Sequence, residues 1–205
     1  MKKIFLLSAI LFGAVCGASA QYYYNNNNND PNAPAPKLGF GLSSGIATGP
    51  VSGYFPEAGS LILKLELPIK KSPVSVVFLT GYTFYVSQGG YAAGYDGYGF
   101  DYGTYYSGQV ASFIPLEAGL KAYVAPHFFL EGEAGASFNV NYATSNYTND
   151  ETALIYDLGA GYSFPLGFSR RATTDLSVVY ENRPEAGGGY SQVALRAVFN
   201  FPLIK

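Results

Sequence analysis

Nine charged residues set the chemical question. Lys64 and Glu66 stand two apart, Glu117 and Lys121 four apart, and Glu131 and Glu133 two apart, while Asp157, Asp175 and Arg196 each sit alone in an alternating stretch. Even spacings along an extended chain place side chains on one face. Gathered in a narrow enclosure, these six acids and three bases could form a proton path or a ligand site, or pair into salt bridges that fill the space. We expect salt bridges, with Glu117, Lys121 and Arg196 in one polar network, because a narrow enclosure leaves little more than side-chain room. Paired carboxylates for glycoside cleavage would need a cleft, which the pattern does not build.

Other chemistries lack a part. The only histidine, His127, follows Pro126 in a short break between alternating stretches, so Ser-His catalysis at the opposite rim lacks its base. Cys16 is the only cysteine and lies in an N-terminal apolar run; beyond it, disulfides, thiolate metal sites and a cysteine nucleophile are excluded. Asp96-Gly97-Tyr98-Gly99-Phe100-Asp101 alternates like a calcium loop but lacks the closing glutamate and the run of oxygen ligands. Asn146-Tyr147-Thr148 is a glycosylation sequon by pattern only. No catalytic residue, cofactor site or metal site is expected. The segment 87–107 carries Tyr91, Tyr95, Tyr98, Tyr102, Tyr105 and Tyr106 among glycines. Tyrosine faces on a flexible glycine-rich loop suit adaptable contacts with a surface partner.

The elements that must position these groups are strands. In 114–140, Ile114, Leu116, Ala118, Leu120 and Ala122 alternate with Glu117, Gly119 and Lys121; after the break, Phe128, Leu130, Ala134, Ala136 and Phe138 alternate with Glu131, Glu133, Ser137 and Asn139. A period of two is the signature of a β-strand. Here one side is apolar and uncharged while the other carries the charges, as in a strand with lipid outside and a polar lumen inside.

The pattern repeats at 38–47, 60–68, 74–86, 152–164, 172–181 and 190–201, which predicts eight strands. The stretch 74–86 is apolar on both sides and leaves its faces unassigned. The connections run long, short, long, short, long, shorter, long, the asymmetry of a barrel with turns on one side of a membrane and loops on the other. Ten residues rise roughly 33 Å, and at about 40° of tilt they cover about 25 Å of bilayer. A soluble eight-stranded barrel would turn its large apolar residues inward instead. The predicted fold is therefore an all-β, eight-stranded antiparallel up-and-down transmembrane β-barrel over 38–205.

Two segments precede it. Residues 1–20 read as a secretory signal peptide: Lys2 and Lys3, an apolar run from Ile4 to Cys16, then Gly17-Ala18-Ser19-Ala20. The residues before Cys16 do not fit a lipoprotein signal. Residues 21–37 are rich in Tyr, Asn and Pro and read as a disordered tether. Loss of Lys2 and Lys3 takes the formal net charge from −2 to −4, which is no footprint for nucleic acid. The enrichment in Tyr, Phe and Gly with few charges suits a lipid-facing barrel.

The signal peptide, eight alternating strands, loop rhythm and aromatic-ended last strand resemble the small outer-membrane β-barrel proteins of the OmpA/OmpX type. The hairpin FIPLEAGLKAYVAPHFFLEGEAG is most similar to outer membrane protein β-barrel domain proteins, which include PorT-like barrels. The resemblance covers 38–201. It implies an outer-membrane location, outer-membrane lipid as partner, and insertion by the barrel-insertion machinery, which reads a terminal aromatic; here Phe199 and Phe201 are followed by Pro202-Leu203-Ile204-Lys205. The expected role is a structural or surface-interaction protein that displays its loops to an extracellular partner. Small-solute channel or transporter is the alternative, and accessory barrel of a secretion system rests on the resemblance alone. With strand one running outward, Lys37, Lys70, Lys71, Arg170, Arg171 and Lys205 share the turn end with His127, and the outer loops hold Glu57, Asp96, Asp101, Asp150, Glu151 and Glu185, with Arg183 as their sole base.

Overall fold

The alternation closes into a barrel in the computed structural model, which describes residues 35–69, 72–87, 90–95, 101–106, 110–140, 151–166, 172–185 and 189–203. The strands are β1 (Lys37–Thr48), β2 (Glu57–Pro68), β3 (Val74–Val86), β4 (Gly90–Tyr95), β5 (Asp101–Tyr106), β6 (Val110–Tyr123), β7 (Phe128–Asn139), β8 (Thr152–Leu166), β9 (Ala172–Arg183) and β10 (Tyr190–Pro202). Eight of them form one closed sheet in the order β1-β10-β9-β8-β7-β6-β3-β2, with every neighbour antiparallel. Closure leaves no edge in the wall.

The register fixes the geometry of the wall. Followed round, it links Leu38 to Leu65, Phe78, Ala118, Ala134, Tyr156, Asn182 and Ser191, and Ser191 pairs with Thr48. The ladder returns ten residues along β1, from 38 to 48, a stagger that tilts eight strands by roughly 40°. The outward positions include Phe40, Leu42, Leu61, Leu116, Leu158, Leu176, Leu195 and Phe199, all exposed. Among the outward positions of these strands only Glu57, at the loop end of β2, is charged. A continuous apolar belt of this extent is unfavourable in water and favourable against hydrocarbon.

Three expectations need correction. First, 87–107 is not simply a loop: β4 and β5 pair as a separate two-stranded sheet. Second, β9 runs on to Arg183, which is buried; Arg183 is not an exposed loop base, and it pairs with Glu185. Third, β2 begins at Glu57 rather than 60. The faces of β3 also resolve: Ser75, Val77, Leu79, Thr83 and Tyr85 are buried inward, while Phe78 and Tyr82 are exposed. Residues 1–34, which hold the signal segment and most of the tether, lie outside the described residues, as do the sequon, Lys70, Lys71, Arg170, Arg171, Lys205, Asp96 and Asp150; Lys37, read as the end of the tether, opens β1 instead.

Inward glycines let the wall approach itself closely. A Cβ built on Gly135 would run into the Leu116 carbonyl oxygen and press on the Glu117 backbone, whereas one on Gly53, in the first loop, meets nothing. Gly135→Ala is therefore expected to destabilise the barrel by about 1–3 kcal/mol, and Gly53→Ala to stay within about 0.5 kcal/mol of the wild type. Urea titration of both variants in lipid vesicles, followed by circular dichroism, checks the contrast.

Candidate functional site in the lumen and on the ribbon

All nine charged side chains singled out above lie buried inside the barrel. Eight of them occupy two levels rather than one network. At the turn end, Lys121 of β6 donates to Glu66 at 3.0 Å and to Asp175 at 2.5 Å. Glu66 also accepts from Ser75 at 2.9 Å and from the Tyr123 hydroxyl at 3.3 Å. The Lys121 ammonium sits 4.2 Å from the Phe129 ring centre and 4.9 Å from that of Tyr123. The sequence brings these together because 121 and 129 flank one tight turn and 66 and 75 flank another.

At mid-height, Lys64 pairs with Glu131 and lies 4.0 Å from Glu133. Arg196 of β10 donates to Asp157 of β8 at 2.5 Å and lies 3.7 Å from Glu131. Glu117 belongs to neither level. Both of its carboxylate oxygens lack a hydrogen-bond partner, as do both of Glu133, so the expected joining of Glu117 with Lys121 and Arg196 into one hydrogen-bonded network does not occur. Ion pairs buried like these are held by mutual attraction in a low-dielectric space, and each becomes costly when one partner is removed.

Toward the loops the lumen turns aromatic. Tyr85, Phe113 and Tyr190, inward residues of β3, β6 and β10, are buried with ring centres 5.0 Å apart for Tyr85–Tyr190 and 4.9 Å for Phe113–Tyr190. Phe55 folds back from the first loop to lie 5.8 Å from Tyr190, buried like the others. The Arg183 guanidinium covers the Phe113 ring at 4.2 Å. Beneath them the Tyr85 hydroxyl donates to Glu181 at 3.3 Å. Together they form an aromatic cap across the loop end.

The sequence reading did not single out these cap residues or Glu181. Parity carried the signal for four of the five: Phe113 shares the face of Glu117, Tyr190 that of Arg196, Glu181 that of Asp175, and Tyr85 lies on the face of Ser75. Phe55 sits in a loop, where no periodicity marks its direction.

His127 is exposed at the turn end, where its carbonyl accepts from the Ser163 amide at 2.8 Å and its ring lies 5.5 Å from Tyr162. No serine nucleophile is presented to it by these contacts. Among the described residues no group of three or more histidine, cysteine, aspartate or glutamate side chains converges to hold a metal ion directly. On the ribbon, Tyr91 pairs with Tyr105, Tyr95 with Asp101, Gly94 with Tyr102 and Gly90 with Tyr106. Tyr98 lies outside the described residues.

No family model matches the chain, and no curated protein matches it. Among solved structures it is similar to Ail, the attachment invasion locus protein of Yersinia pestis, in complex with the heparin analogue sucrose octasulfate, at 14% identity over 82% of this chain and 99% of that one, with a TM-score of 0.47. It is also similar to the outer membrane protein OprG from Pseudomonas aeruginosa, at 12% identity, 82% and 97% coverage and a TM-score of 0.40. A de novo designed transmembrane β-barrel aligns at 14% identity, 83% and 98% coverage and a TM-score of 0.47.

Proposed function

We propose that this barrel is an outer-membrane protein, exported behind a cleaved signal peptide, whose sealed wall anchors an extracellular contact surface centred on β4 and β5. The apolar outward belt supports lipid as its first partner, since apart from Glu57 at the loop end of β2 every described charge on the eight strands turns inward. The barrel-insertion machinery would deliver it, reading Phe201 despite the short tail beyond.

The observation that carries the sealed reading is the filling of the lumen. Ion pairs occupy its lower and middle levels, and Phe55, Tyr85, Phe113 and Tyr190 close the loop end. A wall that conducts nothing leaves the segments outside the bilayer to carry the function. The paired strands β4 and β5 belong to the longest connection between barrel strands, 87–109. Tyrosines there offer large contact faces at low entropic cost, suited to a protein or other surface partner outside the cell.

Protease added to intact cells tests this reading. Cleavage is expected within 87–107, with residues 21–36 spared on the periplasmic side. Removal of 21–36 with 87–107 intact would invert the barrel and end the contact-surface reading. A strain carrying a deletion of 90–106 should then lose surface adhesion while keeping normal envelope permeability.

A further inference from the structure

The outward face of the barrel is not evenly covered. Two neighbouring rows of side chains cross it, each following the register from strand to strand. One row runs Ala160, Val178, Leu195 and Ser44. The other runs Tyr162, Leu176, Ala197, Leu42 and Leu61. Between the rows lie Gly161 and four residues with buried, inward side chains, Ser177, Arg196, Ser43 and Ser60. Backbone therefore forms the floor between them. With small residues at 160, 44 and 197, the rows leave a trough of about 690 Å³. Four strand-to-strand steps of about 4.8 Å make its floor about 19 Å long. That is enough for a chain from one leaflet of a hydrocarbon core about 30 Å thick.

The two ends of the trough are unlike. Toward the loops it stops at Phe84, whose ring lies over Gly59; a Cβ built on that glycine would stand 2.8 Å from it. The charge at this end is the exposed Glu57, which pairs in register with Val86, two residues beyond Phe84. Toward the turns the lining runs on to Tyr162 and Phe128. There the exposed His127 ring lies 5.5 Å from that of Tyr162. The closed end thus carries an acid, and the turn rim carries an imidazole that can donate to an anion.

We propose that the trough seats one acyl chain of a phospholipid whose phosphate stands at the turn rim beside His127, an inference that rests on the lipid-facing reading of the belt. Lipid tails are as apolar as the wall, so close packing along the trough selects the chain. The head group is placed by charge: Glu57 repels phosphate at one end, and His127 accommodates it at the other.

The test uses the whole protein folded in a mild detergent with saturated-chain phosphatidylglycerol and then washed in detergent alone. Gel migration verifies folding, and native mass spectrometry counts the lipid retained. One phosphatidylglycerol per barrel is expected for the wild type. The same is expected for Ala118→Leu with Ala134→Leu, which enlarge exposed, paired residues on the opposite wall. Ser44→Leu with Ala197→Leu fills the trough from both rows and should retain about tenfold less. Should that pair fail to fold, Ala160→Leu alone is expected to lower retention in the same direction. His127→Ala should lower retention of phosphatidylglycerol about three- to tenfold, and leave the weaker retention of diacylglycerol, which has no phosphate, unchanged. No lipid on the wild type, or equal lipid on the filled variant, overturns the proposal. So does a wild-type dimer that the filled variant no longer forms, which would give the trough to a second copy. Unchanged phosphatidylglycerol on His127→Ala overturns the placement of the head group. A wild type that stays soluble and monomeric without detergent would overturn the lipid-facing belt itself.

Discussion

Replacing Lys121 with alanine is expected to destabilise the barrel by about 3–5 kcal/mol, the cost of breaking a buried ion pair from one side. Its ammonium is the shared donor to Glu66 and Asp175 and lies against Phe129 and Tyr123. Without it two carboxylates remain buried in a closed space. The triple variant Lys121→Ala, Glu66→Gln, Asp175→Asn should recover most of the loss, because it removes the stranded charges along with their counter-ion. Urea unfolding in lipid vesicles, read by circular dichroism and by heat-modifiable migration on gels, measures both. A single variant within about 1 kcal/mol of wild type, the range of an exposed pair, would mean that Lys121 is solvated rather than enclosed.

The second large effect lies on the outer wall. Leu158 sits near the middle of β8 and is exposed on the apolar belt. Leu158→Arg should cost about 2–4 kcal/mol, as a charge at the bilayer midplane does, whereas Leu203→Arg, just beyond β10, should cost only about 0–1 kcal/mol. The depth dependence is the diagnostic part. A belt facing water would give small and equal effects at both positions, and that outcome would remove the lipid from the account. Equilibrium refolding into vesicles of defined thickness provides the measurement.

The fold was legible because one physical rule governs nearly the whole wall. Lipid outside and a polar lumen inside force a strict period of two, and 131 and 133 on one side against 130 and 132 on the other express it without ambiguity. Strand β3 escaped because its inward side carries the buried Val77 and Leu79, Leu79 clustering with Ile62 and Val198, so both faces read alike. The ribbon escaped for the opposite reason. Its glycine and tyrosine content speaks for a loop, and only pairing between 90–95 and 101–106 makes it a sheet.

The charged lumen was legible as a set but not as a wiring diagram. Parity alone places Lys64, Glu117 and Arg196 inside; which partners meet depends on the stagger of ten residues, which no local pattern encodes. That stagger is what separates Lys121 from Arg196 and leaves Glu117 without a donor. Arg183 reads as a loop residue because the alternation is legible only to Glu181, two residues short of the end of β9. At that point Asn182-Arg183-Pro184 reads as a polar turn, although Arg183 still shares the inward face of Glu181.

Conductance across a planar bilayer tests the central claim most directly. The protein is reconstituted from vesicles in which gel migration has verified folding, and current is followed under steady voltage. With Phe55, Tyr85, Phe113 and Tyr190 closing the loop end and the Lys121 triad closing the turn end, the account predicts no steady unitary current. Uniform, sustained conductance steps from the wild-type barrel would contradict it and establish the lumen as a path.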